Sequence, residues 1–413
     1  MSDPCFSSSK LMNVDQAISF LLDNAKPTTK TEKIRIEHAL GRTLAESLVS
    51  SINVPPWDNS AMDGYAVRVA DLHLEGSTSL PISQRIPAGT IGLPLQPGTA
   101  ARIFTGAPVP EHADTVIMQE HCQQTGETVL INKPAPAGNN IRRAGDDIAI
   151  GDTVLTTGTK MRPQEMGLAA SVGAAEISVY RKLRVAIFST GDELALPGEA
   201  AKAGQIYNSN RYTLTGLLQA LGMDIIDLGT IADDLAVTRK TLESAALQAD
   251  IVMTTGGVSV GEEDYVKAAI EQLGAVEMWR IAMKPGKPLA YGHVNHIPFI
   301  GLPGNPVSVF VTFCLFARPY LLKTQGRTDI MPARLKISAA FDWNKSGPRR
   351  EFLRARLMPT VNGEPARVDV FRKQGSGVLT STSWANGLVE LPEHHTITKG
   401  EDVTFIPFNE LLG

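Results

Sequence analysis

The chain has 413 residues, 43% hydrophobic and 20% charged, with a formal net charge of -4. That fits a soluble globular protein of roughly two to four domains. It excludes the basic excess of a nucleic-acid binder and the acidic excess of a disordered chain, so any anion site must be built locally from a few residues. Cys5, Cys122 and Cys314 lie far apart with no CxxC. This spacing argues for reduced thiols, a cytoplasmic setting and no structural zinc. The start, MSDPCFSSSK, lacks a basic and apolar leader. The most apolar segment, 307–322, carries Arg318 and Pro319 and falls short of a spanning helix. No membrane and no nucleic-acid partner are therefore expected.

In chain order, Val14, Ala17, Ile18, Leu21 and Leu22 share one helical face and predict a helix over 14–24. A second helical pattern covers 33–40 and stops at Gly41. From about 54 to 151, short β-rich runs at 101–105, 115–119 and 128–132 alternate with Pro/Gly turns, predicting a compact, mainly β module. From Lys182 to about Leu322, apolar runs at 185–189, 225–228 and 251–254 alternate with helical patterns at 211–221, 235–248 and 265–273. That alternation predicts a parallel sheet covered on both faces. Asp234 suits a helix N-cap and Gly274 a helix C′ position. Beyond Arg327, runs at 334–338, 352–357, 367–370 and 403–406 predict a small C-terminal β-barrel or sandwich.

Ligands of doubly wound sheets sit at the carboxyl ends of the strands, and four unusual loops fall there. STGDEL (189–194) sets Asp192 and Glu193 after a tight turn at Gly191; hard carboxylate oxygens suit Mg²⁺, although a solvated acidic turn reads the same way. TTGGVSVGEEDY (254–265) places glycines and Ser259 directly after a strand and before a helix. That makes an anion cradle of backbone N–H groups, without the lysine of a P-loop. KPGKPL (284–289) holds two lysines on a Pro/Gly frame, and LPGNPVS (302–308) opens an apolar helix with Asn305 as cap and Pro306 at its first position. An acidic, basic and glycine-rich rim of this kind fits a phosphate-bearing ligand with a divalent cation. Two polar-dense motifs lie outside it: VPPWDNSAMDGYAV (54–67), and NIRRAGDDI (140–148), whose arginine forks suit tetrahedral oxyanions.

NSAMDGYA, TGAPVP (105–110), NIRRAGDDI, FSTGDEL, TTGGVSVGEEDY, MKPGKP and GLPGNPVS occur together and in order. In this combination the chain resembles the MoeA-type molybdopterin molybdenumtransferases, whose animal relative is the E domain of gephyrin. The likeness runs from about residue 12 to 325 and fades in the C-terminal β region. It implies a multidomain α/β plus β protein. A central doubly wound, largely parallel domain (182–328) would resemble molybdopterin adenylyltransferases. An N-terminal linking domain (1–50 and 145–181), a mainly β domain (51–144) and a C-terminal β-barrel (329–413) would surround it. It further implies a homodimer with the active site at the dimer interface, and the adenylyltransferase of the preceding step as a candidate partner. The implied reaction takes adenylylated molybdopterin and molybdate, with Mg²⁺, and releases AMP and molybdenum cofactor.

Carried over by position, the resemblance implies site roles for Asp63, Thr105, Arg142, Asp147, Glu193, Asp233, Asp264, Lys284, Pro303 and Pro306. On those roles Gly256, Gly257 and Ser259 cradle the phosphates, and Glu193 with Asp233 or Asp264 holds Mg²⁺. Lys284, Lys287, Arg280 and Arg142 offset the molybdate charge, while Pro303, Gly304, Asn305, Pro306 and Ser308, where the helix begins, bind the cofactor. Arg280 departs from the family, which often has Lys there; a planar fork replaces a point charge. A non-catalytic scaffold on the same fold and a molybdopterin adenylyltransferase are the alternative readings.

Overall fold

The computed structural model describes residues 11–73, 75–258, 265–359, 363 and 365–412. A six-stranded sheet forms the centre, in the order Asp224–Ile231, Arg184–Thr190, Ile251–Thr255, Ile297–Leu302, Pro288–Val294, Gly274–Arg280. The first four strands run parallel, and the last two add an antiparallel edge. Alternation along one strand accounts for the two covered faces. Val185 and Ile187 enter a core with Leu214, Leu217 and the helices of 306–324, while Ala186 and Phe188 enter the opposite core with Leu242, Ala245 and Ile270.

The helices Val14–Asn24, Leu235–Gln248 and Tyr265–Leu273 begin and end as their periodicity predicts. Asp234 caps its helix by accepting from Val237 N at 2.9 Å. Two expectations fail. Residues 33–40 are not helical: Thr31–Arg35 is a strand paired antiparallel with Glu176–Tyr180, followed by the single turn Ile36–His38. Ile34 and Ile36, two apart, pack on the linking-domain core, and that pairing outweighs local helix preference. Gly274 directly follows the helix end at Leu273, as expected, and also opens a strand; a Cβ there would sit 2.1 Å from His293 O, so only glycine allows the close approach. Asn305 occupies the N-cap position with Pro306 at the first helical position, yet its side chain makes no capping bond.

The apolar segment is longer than its sequence suggests. Pro306–Thr324 forms 19 continuous helical residues, long and apolar enough to cross a membrane, but nearly all of it is buried inside the fold. Tyr320 and Phe316 are among the side chains it contributes to the core.

On the N-terminal side, six strands form the mainly β module, in the order Thr115–Met118, Gly64–Val67, Ala100–Ile103, Thr78–Ile86, Thr128–Ile131, Cys122–Thr125. At the C-terminal end Arg350–Met358 pairs with both Arg367–Val370 and Gly387–Leu391, closing a small barrel around Leu353, Val389 and Phe405. The barrel's sheet begins with a borrowed strand, Met283–Lys284 from the α/β domain.

Candidate active site

The carboxyl ends of three adjacent parallel strands, Arg184–Thr190, Ile251–Thr255 and Ile297–Leu302, open onto a cleft of about 630 Å³. Glu193, Gly256, Gly257, Lys284, Lys287, Pro303, Gly304, Asn305 and Ser308 all line it. The glycines are required there. Gly257 has φ +63°, and a Cβ on it would fall 2.4 Å from Val266 Cγ2; Gly256 has φ +87° and lies beside Gly304, whose Cβ would meet Gly256 Cα at 4.0 Å. Gly256 N donates to Leu302 O at 3.1 Å, so an anion would be met by the amides that follow it. Asn210 Nδ2 donates to Gly304 O at 2.6 Å and ties this loop to the helix Ser209–Ala220.

The cleft carries both charge signs. Glu193 supplies a carboxylate; Lys284, Lys287 and Arg349 supply the cations. Asp192, next to Glu193, accepts from Asp233 N at 3.4 Å, which brings the two acidic loops together. Asp233 itself is not a lining residue, nor are Arg280 and Pro306. Arg280 lies on the antiparallel edge strand opposite Pro288. Ser259 and Asp264 lie outside the described residues. Among the described residues no group of three or more His, Cys, Asp or Glu is gathered for a metal.

Sequence reasoning missed the fourth wall, which comes from the C-terminal barrel: Arg349, Gln374, Gly375 and Ser376 line the same cleft. Ser376 O accepts from Val307 N at 3.0 Å at the start of the long helix, and Gln374 is locked by bonds to Arg354 O and Phe371 O. The run QGSG (374–377) was the available signal, a serine between two glycines in an otherwise β region.

A second polar cluster forms in the N-terminal module. Asp63 Oδ1 accepts from both Thr105 N and Thr105 Oγ1 at 2.8 Å. Those two bonds hold its carboxyl below the usual range, the amide contributing most. The Asn59–Ser60 strand pairs with Ile141–Arg142, Arg143 forms an ion pair with Asp58, and Asp58 also accepts from Ala144 N at 2.9 Å. Asn59 Oδ1 is buried there with no hydrogen-bond partner. Asp147 N donates to Val54 O, which fixes the backbone of the 54–67 and 140–148 motifs against each other. Trp57 and Met62 stay exposed, at 46% and 40%. None of Asp63, Thr105, Arg142 or Asp147 lines the α/β cleft within one chain.

Comparison with known proteins follows these divisions. The MoeA N-terminal region (domain I and II) matches residues 12–173, the family described as "Probable molybdopterin binding domain" matches 186–323, and the MoeA C-terminal region (domain IV) matches 336–408. A molybdopterin molybdenumtransferase of Haemophilus influenzae is 41% identical, covering 98% of this chain and 100% of that one. Another from Nostoc sp. is 38% identical, with 90% of this chain and 88% of that one covered. The crystal structure of the molybdopterin biosynthesis moeA protein of Pyrococcus horikoshii superposes with a TM-score of 0.84 at 31% identity, over 96% of this chain and 100% of that one.

Proposed function

Because this chain belongs to the MoeA-type molybdopterin molybdenumtransferase family, and so is a transferase of molybdenum cofactor biosynthesis, we propose that it inserts molybdate into adenylylated molybdopterin with Mg²⁺, releasing AMP, at a site completed by a second copy of itself. The observation that carries this reading is the cleft, where Glu193, Lys284, Lys287 and the Gly256–Gly257 turn converge at the ends of three parallel strands. Oxygen-donor carboxylates, fixed cations and peptide amides suit one polyanionic guest.

In that site the amides after Gly256 bind the phosphates of the pterin nucleotide. Lys287 and Arg349 attract molybdate, a tetrahedral dianion, and Lys284 donates to a ligand oxygen. Mg²⁺ is commonly held by one or two carboxylates together with substrate phosphates, so Glu193 would hold it with those phosphates, beside the adjoining acidic loop at Asp233. When bound, the cation would offset charge developing on the phosphates as the adenylyl bond breaks. Asp63, which accepts from Thr105 N and Oγ1, orders that part of the site or handles protons there, as does Asp147.

Homodimerisation would bring the Asp63–Thr105–Arg142–Asp147 cluster of one protomer to the cleft of the other. Two features of the single chain support it: these polar residues stay outside the cleft of their own chain, and Trp57 and Met62, in the same motif as Asp63, are exposed. Purified Glu193→Ala and Asp63→Ala proteins, supplied with adenylylated molybdopterin and molybdate, should each release AMP about 10²–10³ times more slowly than wild type. Near-normal AMP release and cofactor formation in both would reject the assignment.

A further inference from the structure

We propose that Glu351, on the barrel strand Arg350–Met358, is a positioning residue for this reaction and acts through Lys284. The inference rests on the reading of the cleft given above. The strand Met283–Lys284 leaves the α/β domain and joins the barrel sheet in parallel, with Met283 opposite Arg350 and Lys284 opposite Glu351. Arg350 N donates to Ala282 O at 3.0 Å, which fixes that register. Lys284 Nζ then meets both carboxylate oxygens of Glu351 at 3.1 Å. The Glu351 side chain is 9% exposed, whereas that of Lys284 is 41% exposed at the cleft.

An ammonium group has three N–H donors and a freely rotating stem. Turning two donors to a buried carboxylate removes that freedom and leaves the third for a ligand oxygen. The pair also cancels its own charge, so long-range attraction of a dianion falls to Lys287 and Arg349, and Lys284 serves as a directed donor. Such pre-orientation lowers the reorganisation needed in the transition state without strengthening ground-state binding. A further charged neighbour of Glu351 is the buried Arg354, whose guanidinium is bonded to Ser381 Oγ and Phe352 O and so is already committed.

The test uses the full chain and compares Glu351→Gln, Lys284→Ala and the double variant, with kcat and the molybdate KM measured for AMP release. Glu351→Gln keeps shape but loses the charge that fixes the ammonium. Its kcat should fall about tenfold or more, while the molybdate KM stays level or drops because the cleft gains a positive charge. The double variant should be no slower than Lys284→Ala alone, since residues acting as one unit are not additive. Glu351→Asp, which keeps the charge on a shorter arm, should recover part of the rate. If Glu351→Gln proves too unstable to assay, Glu351→Asp must itself show the slowed kcat at unraised KM. Wild-type kcat in the Glu351 variants beside a slow Lys284→Ala overturns the positioning role alone, as do losses that multiply in the double variant. Wild-type turnover by Lys284→Ala overturns the cleft assignment and the positioning role with it.

Discussion

At the scale of residues, the site depends on backbone that only particular residues permit. Gly257 combines a left-handed φ with a Cβ position already filled by Val266. Gly257→Ala must push the loop off its strand end, and a displacement near 1 Å at a reacting centre costs on the order of 10²-fold in rate. AMP release by Gly257→Ala should drop by about that factor, whereas Gly41→Ala, at a positive-φ glycine with open space around it, should cost stability and leave the rate nearly unchanged. Much of this was legible before the fold was known, because glycines directly after a strand mark close backbone approach. What the sequence could not reveal was partnership. Nothing in KPGKP says that Lys284 faces Glu351, 67 positions further on, and nothing in NSAMDGYA says that Asp63 accepts from Thr105.

At the scale of elements, hydrophobic period identified helices well where one face is buried, as in Val14–Asn24 and Leu235–Gln248. It failed where a short run serves a long-range pairing. Thr31–Arg35 exists because Glu176–Tyr180 lies beside it, and Gly387–Leu391, buried along its whole length, carries no alternation to read. Joints between elements are equally hidden. Asp250, at the start of a central strand, accepts from Arg184 N, Arg181 and Lys30, joining the N-terminal region to the α/β domain. Burial pushes its carboxyl up, but these donors together hold it below the usual range. A depressed carboxyl contributes stability above its unfolded pKa and loses that contribution as pH falls through its folded value. Asp250→Asn should therefore lower stability by roughly 1–3 kcal/mol at neutral pH. The loss should appear as a lower urea midpoint and shrink toward zero as the pH is taken below the carboxylate range. A deficit that persists unchanged in acid would mean that charge is not what Asp250 contributes.

At the scale of the whole molecule, the chain builds two polar clusters on different domains and keeps them apart. One holds Glu193, the lysines and the glycine turn; the other holds Asp63 bonded to Thr105, with Ile141–Arg142 paired to Asn59–Ser60. Domain order and the parallel sheet were readable from alternating strands and helices, because layer architecture follows from which faces are apolar. The barrel's part in the cleft was not, since it depends on how the last domain packs against the third. If each working site takes one cluster from each protomer, defects in the two clusters should complement. Co-expression of Asp63→Ala and Glu193→Ala chains would test this. Random pairing makes half the dimers mixed, each with one intact site, so about a quarter of wild-type AMP release should return although each variant alone is nearly inactive. Mixed dimers as inactive as their parents would contradict a site shared across the interface.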